Sequence, residues 1–328
     1  MKLSMNRGGK PRQNKSQPIQ WLEYFAVWLG ILLAKMIPLK LGHFICEVLG
    51  HLIYLAVPRR RRIAAENLRH AFQGSKSERE IKEITRQSCA SFILSLLETV
   101  KFKSLLDDPA GMKRIREATE GFDLLLQKVK ELHEKPGGCV FVTPHIGNWE
   151  FLPFIGFMAG IPLVVVVRPL DNRYLEDLLY SERATSGQII MPKTNSLYLL
   201  QRALRQGKSI CMLPDQSTMK AISVEYFGMK ATTTPIPAIL ALLYKRPIVV
   251  VACCRKSKDF RFEGFVSEPI WPQAYQSERD EIFRLTREMN RKMEAIIRKY
   301  PEQYFWMHNR WKTYQTKKDL SLSTMGFS

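Results

Sequence analysis

The chain changes rhythm twice. Between Trp21 and Val57 apolar residues form two nearly continuous runs, Trp21–Ile37 and Leu41–Val57, the second interrupted by His43, Glu47 and His51. From Ile63 they recur at helical spacing. One amphipathic stretch covers Ile63–Phe72, a longer one Ser75–Lys103, opened by a Ser75-x-x-Glu78 capping pattern, and a third Met112–Glu134. Beyond Gly137 short apolar runs alternate with helical ones. Cys139–Thr143, Pro162–Val167, Gln188–Met191, Ser209–Leu213 and Pro247–Cys254 read as buried strands, and Phe260–Val266 as a more exposed one. Asn172–Arg183, Ser196–Gln206, the segment opening at Thr234-Pro235 and Glu278–Tyr300 read as helices. Strands alternating with helices predict an α/β domain with a central, mostly parallel sheet flanked by helices on both faces.

Each N-terminal run is shorter than the roughly 20 residues of a comfortable membrane span. Both outer flanks are basic: Lys2, Arg7, Lys10, Arg12 and Lys15 on one side, Arg59-Arg60-Arg61-Arg62 on the other. Basic flanks tend to stay cytoplasmic, which favours a re-entrant or interfacial helical pair. A single span over 22–37 competes with it, as does an amphipathic hairpin packed on the domain. The expected organisation is a basic disordered tail at 1–20, a membrane-anchoring helical segment at 21–57, one large domain at 58–315 and a flexible tail at 316–328.

Charge narrows the partners. Across 328 residues the formal net charge is +19, which suits nucleic acid, an acidic membrane surface, a phosphorylated substrate or an acidic carrier protein. No nucleic-acid motif accompanies it, and the apolar N-terminus suits membranes better. Cys46, Cys89, Cys139, Cys211, Cys253 and Cys254 lack metal-site spacing, and several lie in apolar strand-like runs, so they read as buried reduced thiols.

The chemistry concentrates where the first buried strand ends. Pro144 cannot continue the ladder, Asn148 suits a helix N-cap, and His145 and Glu150 flank the turn at a strand's carboxyl end. The Glu150 carboxylate can hold one imidazole nitrogen and leave the other as a base. A loop histidine beside a glutamate favoured by a helix start has the same spacing. No Gly-x-Ser-x-Gly elbow supplies a competing nucleophile. Arg168, Arg183 and Asp215-Gln216 fall at strand or helix ends on the same inferred edge. The arginines suit a phosphate or an oxyanion, and equally a solvated loop; Asp215 is also an ordinary turn residue.

In order, the chain carries the segment Arg59–Phe72, His145-x4-Glu150, Arg168-Pro169-x-x-Asn172 and Leu213-Pro214-Asp215-Gln216. Phe227-Gly228 before Thr232-Thr233-Thr234-Pro235 follows, and then the closing run Pro301–Lys312. From Trp21 to Lys312 this set resembles the late acyltransferases of lipid A biosynthesis, the lauroyl/myristoyl family within the glycerophosphate-acyltransferase-like fold. The resemblance implies an acyltransferase domain at 58–315 on the cytoplasmic face of the bacterial inner membrane. It would move a fatty acyl chain from acyl carrier protein to a hydroxyl of a phosphorylated glycolipid, a lipid A precursor. A thioester is already activated, so no cofactor, metal or covalent nucleophile is expected. His145, Glu150, Arg183 and Asp215 take the catalytic roles, with Arg168, Asn148 and Gln216 binding substrate. Trp149, Phe151 and Phe154 suit the floor of an acyl groove or a core helix. Two alternatives stand beside this reading. One is a lysophospholipid or other glycolipid acceptor, against which Leu213-Pro214-Asp215-Gln216 replaces the Phe-Pro-Glu-Gly-like block of glycerolipid enzymes. The other is an inactive membrane-binding relative, against which His145 and Glu150 are intact.

Overall fold

The computed structural model describes residues 16–106, 109–167, 170–178, 189–192, 196–218, 221–257 and 260–312. Helices α1 (Gln17–Met36) and α2 (Leu39–Ala56) meet at Ile37-Pro38, and Pro38 lacks the N–H that would continue the ladder. Both exceed the apolar runs that announced them, and both are long and apolar enough to cross a membrane by length and composition. No residue of α1 is buried, and Trp21, Phe25, Trp28 and Met36 are exposed on it. Helix α3 (Pro58–Phe72) follows and takes the four arginines into its first turns. Helix α4 (Glu78–Leu106) packs along α2 so closely that a Cβ on Gly50 would fall 2.3 Å from Ala90 Cα. Its N-terminus is capped by Ser77 and Glu80, not the expected Ser75 and Glu78: each backbone N–H of the pair donates to the other's side chain.

The expected helix over Met112–Glu134 is two helices. α5 (Pro109–Ala118) ends in a short strand β1 (Thr119–Glu120), and α6 (Phe122–Glu134) restarts after Gly121, whose φ of +63° favours glycine. Then come β2 (Val140–Val142), α7 (Leu152–Met158), β3 (Leu163–Val167) and a helix with described residues 173–178, here α8. β4 (Ile189–Pro192), α9 (Ser196–Arg205) and β5 (Ser209–Met212) continue the alternation. β6 (Ile222–Tyr226) and β7 (Met229–Thr233) form a hairpin absent from the sequence reading. Its turn is Phe227-Gly228, both at positive φ (+53° and +75°), the geometry of a two-residue hairpin loop. α10 (Ile236–Tyr244), β8 (Ile248–Ser257), β9 (Arg261–Val266) and α11 (Glu278–Lys299) complete the described elements.

Seven strands form one sheet in the order β1-β9-β8-β2-β5-β3-β4, parallel except where β8 meets β9. Side chains alternate across it. Val140, Val142, Ile210 and Val250 face a core shared with α9, α10, α11 and the β6–β7 hairpin; Cys139, Phe141, Cys211 and Val251 face α6 and α7. This is the expected α/β architecture with helices on both faces. All six cysteines are buried and free, and Cys253 and Cys254 join different clusters on opposite faces of β8.

The start of α1 is tied to the domain: Asn172 donates from Nδ2 to Gln20 O (2.8 Å) and Glu23 Oε2 (3.0 Å), and Tyr174 packs on Trp21 at 4.5 Å. Exposed apolar surface on two packed helices predicts firm attachment to lipid. High-salt and alkaline carbonate washes of membranes should leave the full-length chain in the pellet; release by salt alone would mean that charge is what attaches it.

Candidate active site

Strands β2 and β5 are parallel neighbours with Val142 opposite Met212, and each meets a proline two residues on, Pro144 and Pro214. The register therefore carries His145 and Asp215, the next residues, out of the sheet side by side. His145 Nδ1 lies 2.6 Å from Asp215 Oδ1, and the backbone N–H of His145 donates to Oδ2 at 2.8 Å. The carboxylate against Nδ1 is thus Asp215, correcting the expected pairing with Glu150. Glu150 sits in the middle of a 3-10 turn, Trp149–Phe151, that carries Trp149 to the imidazole. The parallel register of the two strands delivers Asp215 to the imidazole from the neighbouring strand end, ahead of a residue five places along the chain.

Asp215 is 1% exposed and His145 21%. Burial pushes the Asp215 carboxyl up, but the His145 charge, its ring and backbone hydrogen bonds, and the Arg310 guanidinium outweigh that and hold it below the ordinary carboxylate range. With Nδ1 donating to Asp215, Nε2 is the free lone pair. Around the imidazole lie the Gln216 amide, 3.5 Å from Nε2, the Trp149 ring at 5.3 Å and the Phe305 ring at 6.4 Å. A base, an amide and two aromatic faces at the carboxyl end of a parallel sheet suit a polar reacting group on an apolar substrate.

The turn bearing His145 is clamped from behind. Gly147 has φ +57°, and a Cβ there would fall 2.1 Å from Cys253 O, so only glycine lets the turn lie against β8. The Asn148 N–H donates to that carbonyl at 2.8 Å. The Asn148 side chain is fully buried, donating to Ser95 O (3.0 Å) and Glu98 Oε2 (3.1 Å) and accepting from Thr99 (3.2 Å). It makes no cap hydrogen bond, and its described side-chain partners are all in α4. Glu98 and Arg255 form an ion pair with Oε1 and Nε 3.0 Å apart, at 0% and 8% exposure. Burial pushes the Glu98 carboxyl up to about 6 against the opposing pull of Arg255 and Asn148. Arg255 also donates to Ser91 O (2.7 Å) and Gln303 Oε1 (3.3 Å), and Ser95 Oγ donates to Gly147 O at 2.7 Å.

The closing run forms the third wall. Phe305 N–H donates to His145 O at 2.9 Å, and Ile146 bridges Tyr304. Arg310, 2% exposed, donates to Thr232 O and Thr233 Oγ1, both at 2.6 Å, and covers the Tyr226 ring at 4.5 Å. Ser217 donates its N–H to His308 Nε2 at 3.2 Å. Burial holds His308 below the ordinary imidazole range, against the pull of Asp215. Phe151 and Phe154 are buried beside Phe102 and Phe262, so they are core, whereas Trp149 faces the site. Arg168 and Arg183 lie outside the described residues. Glu98, Arg255, Gln303, His308 and Ser217 were not singled out from sequence. The signals for them were partial: Gln303 and His308 fall within the closing run, and Glu98 within a polar stripe Ser91, Ser95, Glu98 at i, i+4, i+7 on an otherwise core-facing helix.

Residues 12–313 match the family of bacterial lipid A biosynthesis acyltransferases. The chain belongs to that family. Among its relatives are two proteins of Escherichia coli (strain K12): a lipid A biosynthesis palmitoleoyltransferase, 26% identical over 305 residues, and a lipid A biosynthesis lauroyltransferase, 24% identical over 297. Each alignment covers 90% of this chain and 92% of the relative. A lipid A biosynthesis acyltransferase of Haemophilus influenzae is 26% identical over 314 residues, 92% of this chain and 94% of its own. The His145–Asp215 pair is therefore the candidate base of an acyltransferase.

Two outcomes follow from this geometry. Asp215→Asn must set an amide NH2 against one of the two His145 donors; it should lower kcat by about 10²–10⁴-fold while the melting transition stays cooperative. An acyl-transfer rate within a factor of two of wild type would remove Asp215 from the mechanism. Glu98→Leu strands the Arg255 charge and should cost about 3–5 kcal/mol of stability, whereas Glu98→Leu with Arg255→Met should recover most of it. Denaturant melts of both in detergent read the difference.

Proposed function

We propose that this acyltransferase moves a fatty acyl chain from the thioester of acyl carrier protein to a hydroxyl of a phosphorylated glycolipid, a lipid A precursor, at the cytoplasmic face of the bacterial inner membrane. The observation that carries the proposal is the buried Asp215 carboxylate on His145 Nδ1, which leaves Nε2 as an oriented base in an aromatic-lined opening. His145 Nε2 takes the proton as the acceptor oxygen attacks the thioester carbonyl. Asp215 keeps the tautomer and stabilises the imidazolium that forms. When the tetrahedral intermediate collapses, the C–S bond breaks and the departing thiolate takes the proton back from Nε2, so the enzyme ends unchanged. Gln216, beside Nε2, is given the contact with the attacking hydroxyl. Glu150 adds negative charge near the developing imidazolium, and Arg168 and Arg183 retain the substrate and oxyanion roles that the family resemblance gave them. The basic balance of the chain, +19, supports an acidic carrier and anionic lipid as partners.

Purified protein given acyl carrier protein thioester and a phosphorylated lipid A precursor should yield an acylated lipid and free carrier thiol in equal amounts. His145→Ala should reduce that yield by about 10²–10⁴-fold. Wild-type turnover by His145→Ala, or thiol release without an acylated lipid, would overturn the proposal.

A further inference from the structure

The first two turns of α3 hold Arg59, Arg60, Arg61 and Arg62 with no acidic residue in the first turn. Cations at a helix N-terminus are opposed by the macrodipole, and among the described residues no carboxylate pairs with any of the four. An unneutralised cluster in an unfavourable field calls for an anion from outside the chain. Of the four, Arg60 is the one with a described hydrogen bond to the closing run. It shares a stripe with Ala64 and Asn67, both buried. Asn67 Nδ2 donates to Trp306 O (2.7 Å) and His308 O (2.6 Å), and Arg60 Nη1 donates to Met307 O (3.1 Å), so one face of α3 grips three successive carbonyls. His308 leads back to the base: its Nε2 accepts from Ser217 N–H at 3.2 Å, and the neighbouring Gln216 amide stands 3.5 Å from His145 Nε2. Arg62 lies on the other side of the helix, in line with exposed Glu66 and Arg69.

We propose that Arg60 is the phosphate-recognising residue of the acceptor site, gripping a phosphomonoester on the glycolipid head group while the hydroxyl to be acylated lies at His145. The proposal rests on the acyl-transfer reading above and adds the group that orients its acceptor. Arg60 is exposed, and among the described residues a single guanidinium N–H is committed, to Met307 O. The remaining donors form the planar fork that matches phosphate oxygens in parallel, which lysine cannot reproduce. Its height is right for a head group. Apolar α2 ends at Ala56, four residues before Arg60, so the guanidinium follows directly on the apolar segment, where an anionic head group would lie if that segment enters lipid.

The test separates the acceptor's own phosphate from bulk anionic lipid. Full-length protein in neutral detergent is titrated with a phosphorylated glucosamine lipid and with the same lipid after phosphatase treatment, following tryptophan fluorescence. Wild type should bind the phosphorylated form about ten-fold more tightly. Arg60→Ala should erase that preference, Arg60→Lys should keep only part of it, and Arg62→Ala, which removes the same charge, should keep it whole. If Arg60→Ala melts early, Arg60→Lys decides, since it keeps the positive charge and a long apolar stem at that position. Preference retained in both Arg60 variants, or lost equally in Arg62→Ala, overturns the proposal; the second result assigns the cluster to diffuse attraction of anionic lipid. Acyl transfer is measured on the same samples. A binding preference that depends on Arg60 without turnover would sink the acyl-transfer reading and leave the phosphate site standing. Turnover with a preference indifferent to Arg60 would sink the phosphate site alone.

Discussion

A carboxylate taken out of water is unstable as an anion unless the protein replaces the hydration it loses, and Asp215 is such a group. Its two oxygens are met by the ring and backbone of one residue, His145, and the buried Arg310 guanidinium supplies further positive potential. Much of the surrounding structure exists to make that possible. The parallel register of β2 and β5 delivers the two residues together, and the closing run brings Arg310 under the hairpin and Phe305 onto His145. A base whose partner is fixed this way needs little reorganisation when charge develops on it, which is where preorganised sites gain most of their rate.

A second buried charge pair stands behind the first and has a different task. Glu98 and Arg255 touch nothing that reacts; they hold α4, β8 and the back of the turn at one spacing through Ser91, Ser95, Asn148 and Gln303. The two acids diverge accordingly. Glu98 is raised because one arginine does not offset its burial, while Asp215 is lowered because a histidine and an arginine together do. The turn from His145 to Asn148 lies between these two nodes, chemical in front and structural behind.

Most of the scaffold was legible in residue patterns. Short β-branched runs alternating with amphipathic stretches are a strong signal, and β2, β3, β5, β8, α9 and α11 fall within a few residues of where those patterns put them. His145 and Asp215 were legible as polar residues at strand ends, but their partnership was not, because neighbouring in the sheet is a property of strand order that local sequence does not encode. A trace of it was present: Val-Thr-Pro-His and Met-Leu-Pro-Asp leave their strands with the same spacing. The break at Gly121 was hidden inside a continuous helical period, and the β6–β7 hairpin behind a turn whose first residue, Phe227, is a poor left-handed former. Burial against Phe72 and Trp306 and a stacked Arg298 hold it there. Tertiary packing overrode local propensity at that position.

The contact of Gly50 with Ala90 has a mechanical meaning. Ala90 precedes by one residue the serine where α4 begins to grip the Arg255 network, so the anchor and the clamp behind His145 share a single rigid rod with no loop between them. With α1 and α2 seated in lipid as proposed, the imidazole would keep one elevation over the membrane, because no loop separates its clamp from the helices below. Encounter with a lipid acceptor would then be a search in two dimensions, lateral drift followed by rotation about one axis, with the vertical coordinate set by the fold.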